Sequence, residues 1–349
     1  MFNSNSLYTD DLKTVSSLNF EFDYLTNKSI LITGSTGLIG TFLVDLLMFR
    51  NNFYNNNITI YALGRNKNKA SVRFNEYSNS KNFRYIETDI LKPFEINESI
   101  DFIIHGASNT HPVAYATEPI NTILLSVQGT KSVLDFAISH NVKRTIFLSS
   151  VEIYGENRGD VEYFSENYCG YIDCNTVRAG YTEGKRVAES LCQAYIKEKN
   201  IDIVIARCSR VFGPTMNNDD SKAIAQFIKC AVNNENIILK SKGEQQYSYC
   251  YVGDICSALL YILLNGNNGE TYNIANMNFN LSLMQIANIL AKFINKEVIF
   301  SIPSHIESAG YSKATKALLD CQKLSLLKWK PLFSIPEALI RTVNIMRNG

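Results

Sequence analysis

The stretch Ser29-Ile-Leu-Ile-Thr-Gly34-Ser-Thr-Gly37-Leu-Ile-Gly40 decides the fold. Its first five residues form an apolar run of strand length, and from Leu38 onward the apolar positions recur at helical spacing. Between them the glycines follow the pattern G-x-x-G-x-x-G. Such a turn uses Gly34 for a positive φ, Gly37 for close approach of backbone to a pyrophosphate, and Gly40 for tight packing of helix on strand. The pyrophosphate then rests on the helix N-terminus, where unpaired N–H groups and the macrodipole favour anions. Gly34, Thr36, Gly37, Leu38, Ile39 and Gly40 are therefore the expected phosphate-binding residues of a dinucleotide site.

The same alternation continues outward. Ile58–Leu63, Phe83–Thr88, Phe102–His105 and Thr145–Ser149 read as strands, and Leu38–Met48, Pro119–Ser139 and Tyr181–Glu198 read as helices. Strands separated by helices make βαβ units, whose right-handed crossovers build a parallel sheet covered on both faces. The expected fold class is α/β: a doubly wound parallel Rossmann sheet with a smaller C-terminal α/β substrate-binding region. Residues 25–205, with 206–217 and 245–275 crossing back, are assigned to the dinucleotide-binding domain. Residues 218–244 and 276–349 are assigned to the substrate-binding region.

The chain has 349 residues, 46% of them hydrophobic, enough to bury a large core. With 34 Lys+Arg against 33 Asp+Glu, the net charge of +1 provides no basic face for a nucleic acid or a membrane surface. No apolar run approaches the roughly 20 residues of a membrane span, and the polar N-terminus lacks the features of a secretory leader. None of the 8 cysteines forms a C-x-x-C pair, and the 4 histidines, His105 and His111 among them, have no metal-ligand spacing. These features predict a reduced, cytoplasmic protein that uses no metal.

The second strand ends Ala62-Leu63-Gly64-Arg65-Asn66-Lys67. An NAD site ordinarily places a carboxylate here for the ribose 2′-hydroxyl, whereas Arg65 suits a 2′-phosphate. The cofactor is expected to be NAD or NADP, with Arg65 tipping the choice towards NADP. The competing reading makes Arg65 and Lys67 solvated loop charges. Asp89 and Ile90 follow the third strand, where an adenine would lie, although Asp89 also suits a plain loop carboxylate. Gly106, Ala107 and Ser108 end the fourth strand, where small residues let a cofactor lie close.

Tyr181-Thr-Glu-Gly-Lys185 places a phenol and an ammonium at i, i+4 on one helix face. A free phenol titrates near about 10, and a neighbouring ammonium favours its ionised form. Tyr181 is thus the candidate acid/base, with Lys185 tuning it and reaching the nicotinamide ribose. Upstream, Ser149-Ser150-Val151-Glu152-Ile153-Tyr154-Gly155 ends the fifth strand. Ser150 is the candidate hydroxyl for the reacting oxygen, and Ser149 and Asn109 are candidate substrate contacts.

In this order the motifs resemble the extended short-chain dehydrogenase/reductases, specifically the NAD-dependent epimerase/dehydratases that remodel nucleotide sugars. The resemblance runs from Gly34 to the tail segment LDCQKLSLLKWKP. Its carriers are ASNTHPVAYATEPINT (107–122), SSVEIYG (149–155), RAGYTEGKRVAESL (178–191), ARCSRVFGPTM (206–216) and SYCYVGDICSAL (248–259). Within the family the chain is most similar to the UDP-glucuronate decarboxylases. The resemblance implies that the cofactor oxidises a sugar at C4, that chemistry follows on the 4-keto sugar, and that the hydride usually returns. It implies that Ser150 and Tyr181 act on the C4 hydroxyl and that Glu152 matches the acidic residue near C5. It also implies a homodimer, formed through helices 119–139 and 181–198.

Three departures qualify it. Val151 stands where dehydratases carry an Asp, Tyr247 stands where decarboxylases carry an Arg, and Arg210 replaces the Asn of the RxxN segment. Arg210 either supplies the phosphate contact that Tyr247 cannot make or pairs with Asp219 or Asp220. The function expected is NAD(P)-dependent oxidation or reduction at a carbinol of a nucleotide-activated sugar or polyol precursor, of epimerase or keto-reductase type. UDP-glucuronate decarboxylation is the alternative. A non-catalytic dinucleotide sensor is the alternative of another class, against which the retained Ser150, Tyr181 and Lys185 argue.

Overall fold

A computed structural model describes residues 5–18, 21–110, 112–301 and 315–349; His111 lies outside the described residues. The chain opens with helix α1 (Ser6–Ser16), followed by β1 (Ser29–Thr33), α2 (Leu38–Tyr54), β2 (Thr59–Gly64), α3 (Lys67–Arg73), β3 (Phe83–Glu87) and β4 (Phe102–His105). Next come α4 (Pro112–Thr117), α5 (Pro119–Ser139), β5 (Arg144–Ser150), α6 (Ala179–Lys199), β6 (Ile203–Cys208), β7 (Arg210–Phe212), α7 (Ala223–Val232), β8 (Ile237–Leu239) and β9 (Gln246–Tyr251). The remainder is α8 (Val252–Asn265), β10 (Thr271–Ile274), β11 (Asn280–Ser282), α9 (Leu283–Ile294), β12 (Val298–Phe300), β13 (Lys316–Ala317), α10 (Gln322–Leu326) and α11 (Ile335–Arg347).

Seven strands form one sheet in the order β10-β6-β5-β4-β1-β2-β3. Every neighbouring pair in it is parallel. β1 is buried along its whole length, which explains its unbroken apolar run. From β1 the chain winds outward to β2 and β3, then returns to place β4 on the other side of β1. This reversal opens a crevice at the carboxyl ends of β1 and β4, where α/β sheets bind ligands. Helix α5 spans the range read from the sequence, whereas α2 and α6 run beyond theirs, to Tyr54 and Lys199, and are followed by Asn55 and Asn200 in the left-handed conformation.

A four-stranded sheet stands apart, in which β9 pairs with β7, β11 and β13; β8 and β12 form a further pair. Segments 206–217 and 245–275 therefore serve both regions, giving β10 and α8 to the large sheet side and β7 and β9 to the small sheet. Helix α1 has no counterpart among the elements read from the sequence. Its Tyr8, Leu12 and Val15 are buried, and Tyr8 donates to buried Asp45 at 2.6 Å. Asp11 accepts from Tyr251 at 2.5 Å and from Arg341 at 2.8 Å, tying α1 to β9 and α11.

Candidate active site

The crevice at the sheet reversal is shaped by glycine. Gly34 has φ +70°, and a Cβ there would lie 2.8 Å from the Gly106 carbonyl oxygen. A Cβ on Gly40 would lie 2.5 Å from the Gly34 oxygen, so helix and strand close only around hydrogen atoms. Gly37 is the N-cap of α2 and supplies no capping side chain, which leaves first-turn N–H groups facing the crevice. A groove of about 370 Å³ runs from this turn to the start of α6. Gly34, Thr36, Gly37, Leu38, Ile39, Gly40, Arg65, Ile90, Gly106, Ala107, Ser108, Asn109, Ser149, Ser150, Glu152, Tyr181, Lys185 and Arg210 all line it. Asp89 does not; its carboxylate accepts the Leu91 N–H at 3.1 Å beside the wall. Arg65 is exposed at the far end, with Lys69 near it on the same wall.

Tyr181 and Lys185 lie one turn apart on buried positions of α6. The Tyr181 ring stacks on Tyr115 of α4, with centroids 4.5 Å apart. Burial pushes the Tyr181 phenol up to about 12, against the opposing influence of the Ser150 and Tyr115 hydroxyls. Lys185 turns to the sheet: its Nζ donates to the Leu148 carbonyl at 2.8 Å and stands 4.7 Å from the Phe147 ring centroid. Burial lowers Lys185 to about 8. The i, i+4 spacing thus puts both groups in the groove, while the ammonium's contact here is with the end of β5. His105 beneath them is neutral: burial lowers it to about 3, and its ring nitrogens face Thr33 at 2.7 Å and Thr130 at 3.2 Å.

Glu152 occupies a buried turn after β5, between two arginines. Arg178 approaches one carboxylate oxygen at 2.5 Å and Arg210 the other at 2.6 Å. Burial alone would raise the carboxyl, but Arg210 and Arg178 together hold it below its ordinary value. Arg210 therefore pairs with Glu152 and with neither Asp219 nor Asp220; Asp220 instead meets Lys222 at 3.1 Å. Strand β7 runs parallel to β9, which brings the Arg210 guanidinium 4.6 Å from the Tyr247 ring centroid. Tyr247 is outside the first groove and lines an adjoining cavity of about 500 Å³, whose wall also includes Arg178, Arg210, Lys222, Phe227 and Lys240. Arg210 and Tyr115 belong to both cavities.

Three contributors are absent from the sequence-based expectation: Tyr115, Arg178 and the apolar face of α7. Arg178 carried a signal, since it stands three residues before Tyr181 in RAGYTEGK and so shares its helix face. Tyr115 carried none, because its stacking depends on how α4 meets α6.

Residues 30–275 match the NAD dependent epimerase/dehydratase family. UDP-glucuronic acid decarboxylase 1 of Xenopus tropicalis is 31% identical over 323 residues, covering 92% of this chain and 72% of the relative. Among solved structures, the UDP-glucose 4-epimerase of Thermotoga maritima with UDP-glucose shares the fold at a TM-score of 0.78 and 22% identity, covering 92% of this chain and 99% of that one. The UDP-glucuronic acid 4-epimerase of Bacillus cereus, in complex with UDP-glucuronic acid and NAD, does so at 0.77 and 21%, with coverage of 92% and 99%. The glycine turn at the sheet reversal, the hydroxyl, phenol and lysine along one groove, and the span of the match agree: this chain belongs to the NAD dependent epimerase/dehydratase family.

Proposed function

We propose that the protein moves a hydride between bound NAD(P) and a carbinol of a nucleotide-activated sugar. The observation that carries this reading is that one groove holds both the glycine turn and Ser150, Tyr181 and Lys185. The residues fit a dinucleotide: side chains at Gly34 or Gly40 would fill the cradle, and the α2 N-terminus is suited to a pyrophosphate. When bound, NAD(P) supplies the hydride acceptor. Ser150 holds the substrate hydroxyl and Tyr181 takes its proton; the reverse transfer delivers it back. Lys185 holds the ribose side of the groove. Arg65 and Lys69, two cations on the wall at the end of β2, favour a 2′-phosphate and hence NADP. The substrate's nucleotide occupies the adjoining cavity beside α7.

Decarboxylation of a nucleotide-linked uronic acid is the second reading. The named decarboxylase relatives favour it, as does a guanidinium from Arg210 lying against Tyr247, the position where those enzymes carry an arginine. We further infer a cytoplasmic homodimer. Ile120, Ile123 and Leu124 of α5 and Val187 of α6 are exposed apolar side chains on the helix pair that would meet a second copy.

The test is Tyr181→Phe with a panel of nucleotide sugars, UDP-glucose and UDP-glucuronic acid included, read by mass spectrometry with either cofactor. Turnover should fall by about 10²- to 10⁴-fold while NADH or NADPH binding is retained. Undiminished turnover in the variant, or a wild-type protein that alters no member of the panel, would overturn the reading.

A further inference from the structure

One buried hydroxyl in the groove is left without a partner by the folded chain. Ser209 follows the end of β6 and is 6% exposed, and its Oγ makes no hydrogen bond. A buried hydroxyl left unpaired is costly. The Ser209 backbone N–H is already committed, donating to the Ile274 carbonyl at 3.0 Å. Other groove hydroxyls are engaged: Thr33 accepts the N–H groups of Gly106 and Ala107 at 3.1 Å, and Ser150 accepts that of Glu152 at 3.2 Å. Among the described residues, Ser149 is the other buried groove hydroxyl in the same condition. The two are placed differently. Strands β5 and β6 run parallel with Ser149 opposite Arg207 and Ser150 opposite Cys208, so Ser209 stands one residue beyond the level of Ser150. Ser209 lines the groove with Ser150, Tyr181 and Lys185 but takes no part in the wall of the adjoining cavity, which Arg210 does line. Its hydroxyl thus lies on the cofactor's side of the reacting centre.

We propose that the Ser209 side chain hydrogen-bonds the carboxamide of the nicotinamide ring and so fixes how the ring lies against the substrate carbon. This rests on the hydride-transfer reading above and adds a positioning residue to it. Hydride transfer needs the ring within about 3–3.5 Å of the carbon whose hydroxyl Ser150 and Tyr181 hold. That requirement sets the ring at the carboxyl ends of β5 and β6, beside Ser209. The carboxamide is the ring's only polar substituent. It carries two donors and an acceptor, and a hydroxyl matches it in either sense. Ser209 occupies one of the two unspecified positions of the RxxN segment, between Arg207 and Arg210, where the resemblance assigns no role. The hydrogen bond missing from the folded chain is then completed when the ring is bound.

The experiment compares ligands with and without the ring. NAD, NADP and their ring-free counterparts, ADP-ribose and 2′-phospho-ADP-ribose, are titrated by calorimetry into the full-length protein, wild type, Ser209→Ala and Ser149→Ala. The ring-free ligands keep both riboses and the pyrophosphate, so contacts to the ring alone separate the members of each pair. Ser209→Ala should weaken the dinucleotide that wild type binds by about 3- to 10-fold and leave its ring-free counterpart within about two-fold. The melting temperature of the cofactor-free variant should stay level or rise, because the hydroxyl removed had no partner. An equal loss for ring-bearing and ring-free ligands, unchanged affinity for both, or a melting temperature lowered by more than about 2 °C would overturn the proposal. A loss specific to the ring-bearing ligand that is as large in Ser149→Ala as in Ser209→Ala would assign the contact to Ser149 and overturn it equally. Binding is read without turnover, so the two failures are seen separately. A protein that shows the Ser209 effect yet transfers no hydride refutes the mechanism above and leaves this assignment standing, whereas one that binds no dinucleotide refutes both.

Discussion

Replacing Glu152 with Gln tests the charge arrangement at the centre of the site. In the native cluster one carboxylate separates two guanidiniums, at 2.5 Å and 2.6 Å, and the net charge is +1. Gln keeps the shape but leaves +2. Its amide oxygen can accept from one arginine, while its NH₂ group turns donors towards the other. Removing one partner of a buried pair costs about 3–5 kcal/mol, because the remaining charge stays desolvated. Unfolding entropy of about 2.1 cal/mol/K per residue gives roughly 0.7 kcal/mol/K for a chain of 349 residues, so the melting temperature should fall by about 4–7 °C. Differential scanning calorimetry at pH 7 measures this directly. At that pH the native contribution is complete: the folded carboxyl titrates below its ordinary value, so its stabilisation is present above the ordinary glutamate range and is lost as pH falls through the folded value. Charge counting orders the related variants. Arg210→Gln leaves a neutral Glu152–Arg178 pair and should melt at or above wild type, whereas the double variant returns to +1 and should recover most of the loss. A Glu152→Gln protein melting within about 1 °C of wild type, or a double variant less stable than Glu152→Gln, would refute the reasoning. It would also return Glu152 to the role of a free catalytic carboxyl.

Gly34→Ala should abolish NADH and NADPH binding in a fluorescence titration, since the new methyl would lie 2.8 Å from the Gly106 oxygen at a φ of +70°. Arg65→Ser should weaken NADPH by about ten-fold and leave NADH unchanged; a wild-type preference for NADH would remove the argument from Arg65. Light scattering should report twice the 39.4 kDa chain mass, and Ile123→Glu should return it to one. Burial raises Asp45 to about 7, so the stability it contributes is complete below the ordinary aspartate range and is lost as pH rises through 7. Asp45→Asn should therefore flatten the decline in melting temperature between about pH 4 and 7.

Much of this protein is legible in its sequence because local patterns and global fold agree. The run Ser29–Thr33 could be read as a buried strand, and Gly34 as a turn residue, from spacing alone; both follow from the steric demands of a βα turn. Pro119 marks the start of α5 for the same kind of local reason. Helix α1 was illegible because its apolar face is narrow and its polar residues look solvated. Only the fold reveals that Asp11 is buried against Tyr251 and Arg341. The role of Arg210 was likewise out of reach. Sequence spacing offered Asp219 and Asp220 as partners, while the true partner, Glu152, lies 58 positions earlier, and their meeting depends on the junction of β5 with the small sheet.

The two substitutions at positions 210 and 247 are best understood together. Strands β7 and β9 run side by side, with Arg210 opposite Tyr249 and the Tyr247 ring under the guanidinium. A positive charge that the resemblance places on one strand is thus delivered from its neighbour, and the aromatic ring left behind supports it through a cation–π contact. The exchange preserves a guanidinium at the junction of the two cavities, but it changes what that group touches: it is now held by Glu152, in the groove that Tyr181 also lines. A carboxylate pinned between two arginines is ill suited to give up or accept a proton near neutral pH. The proton transfer we propose is then left to Ser150 and Tyr181.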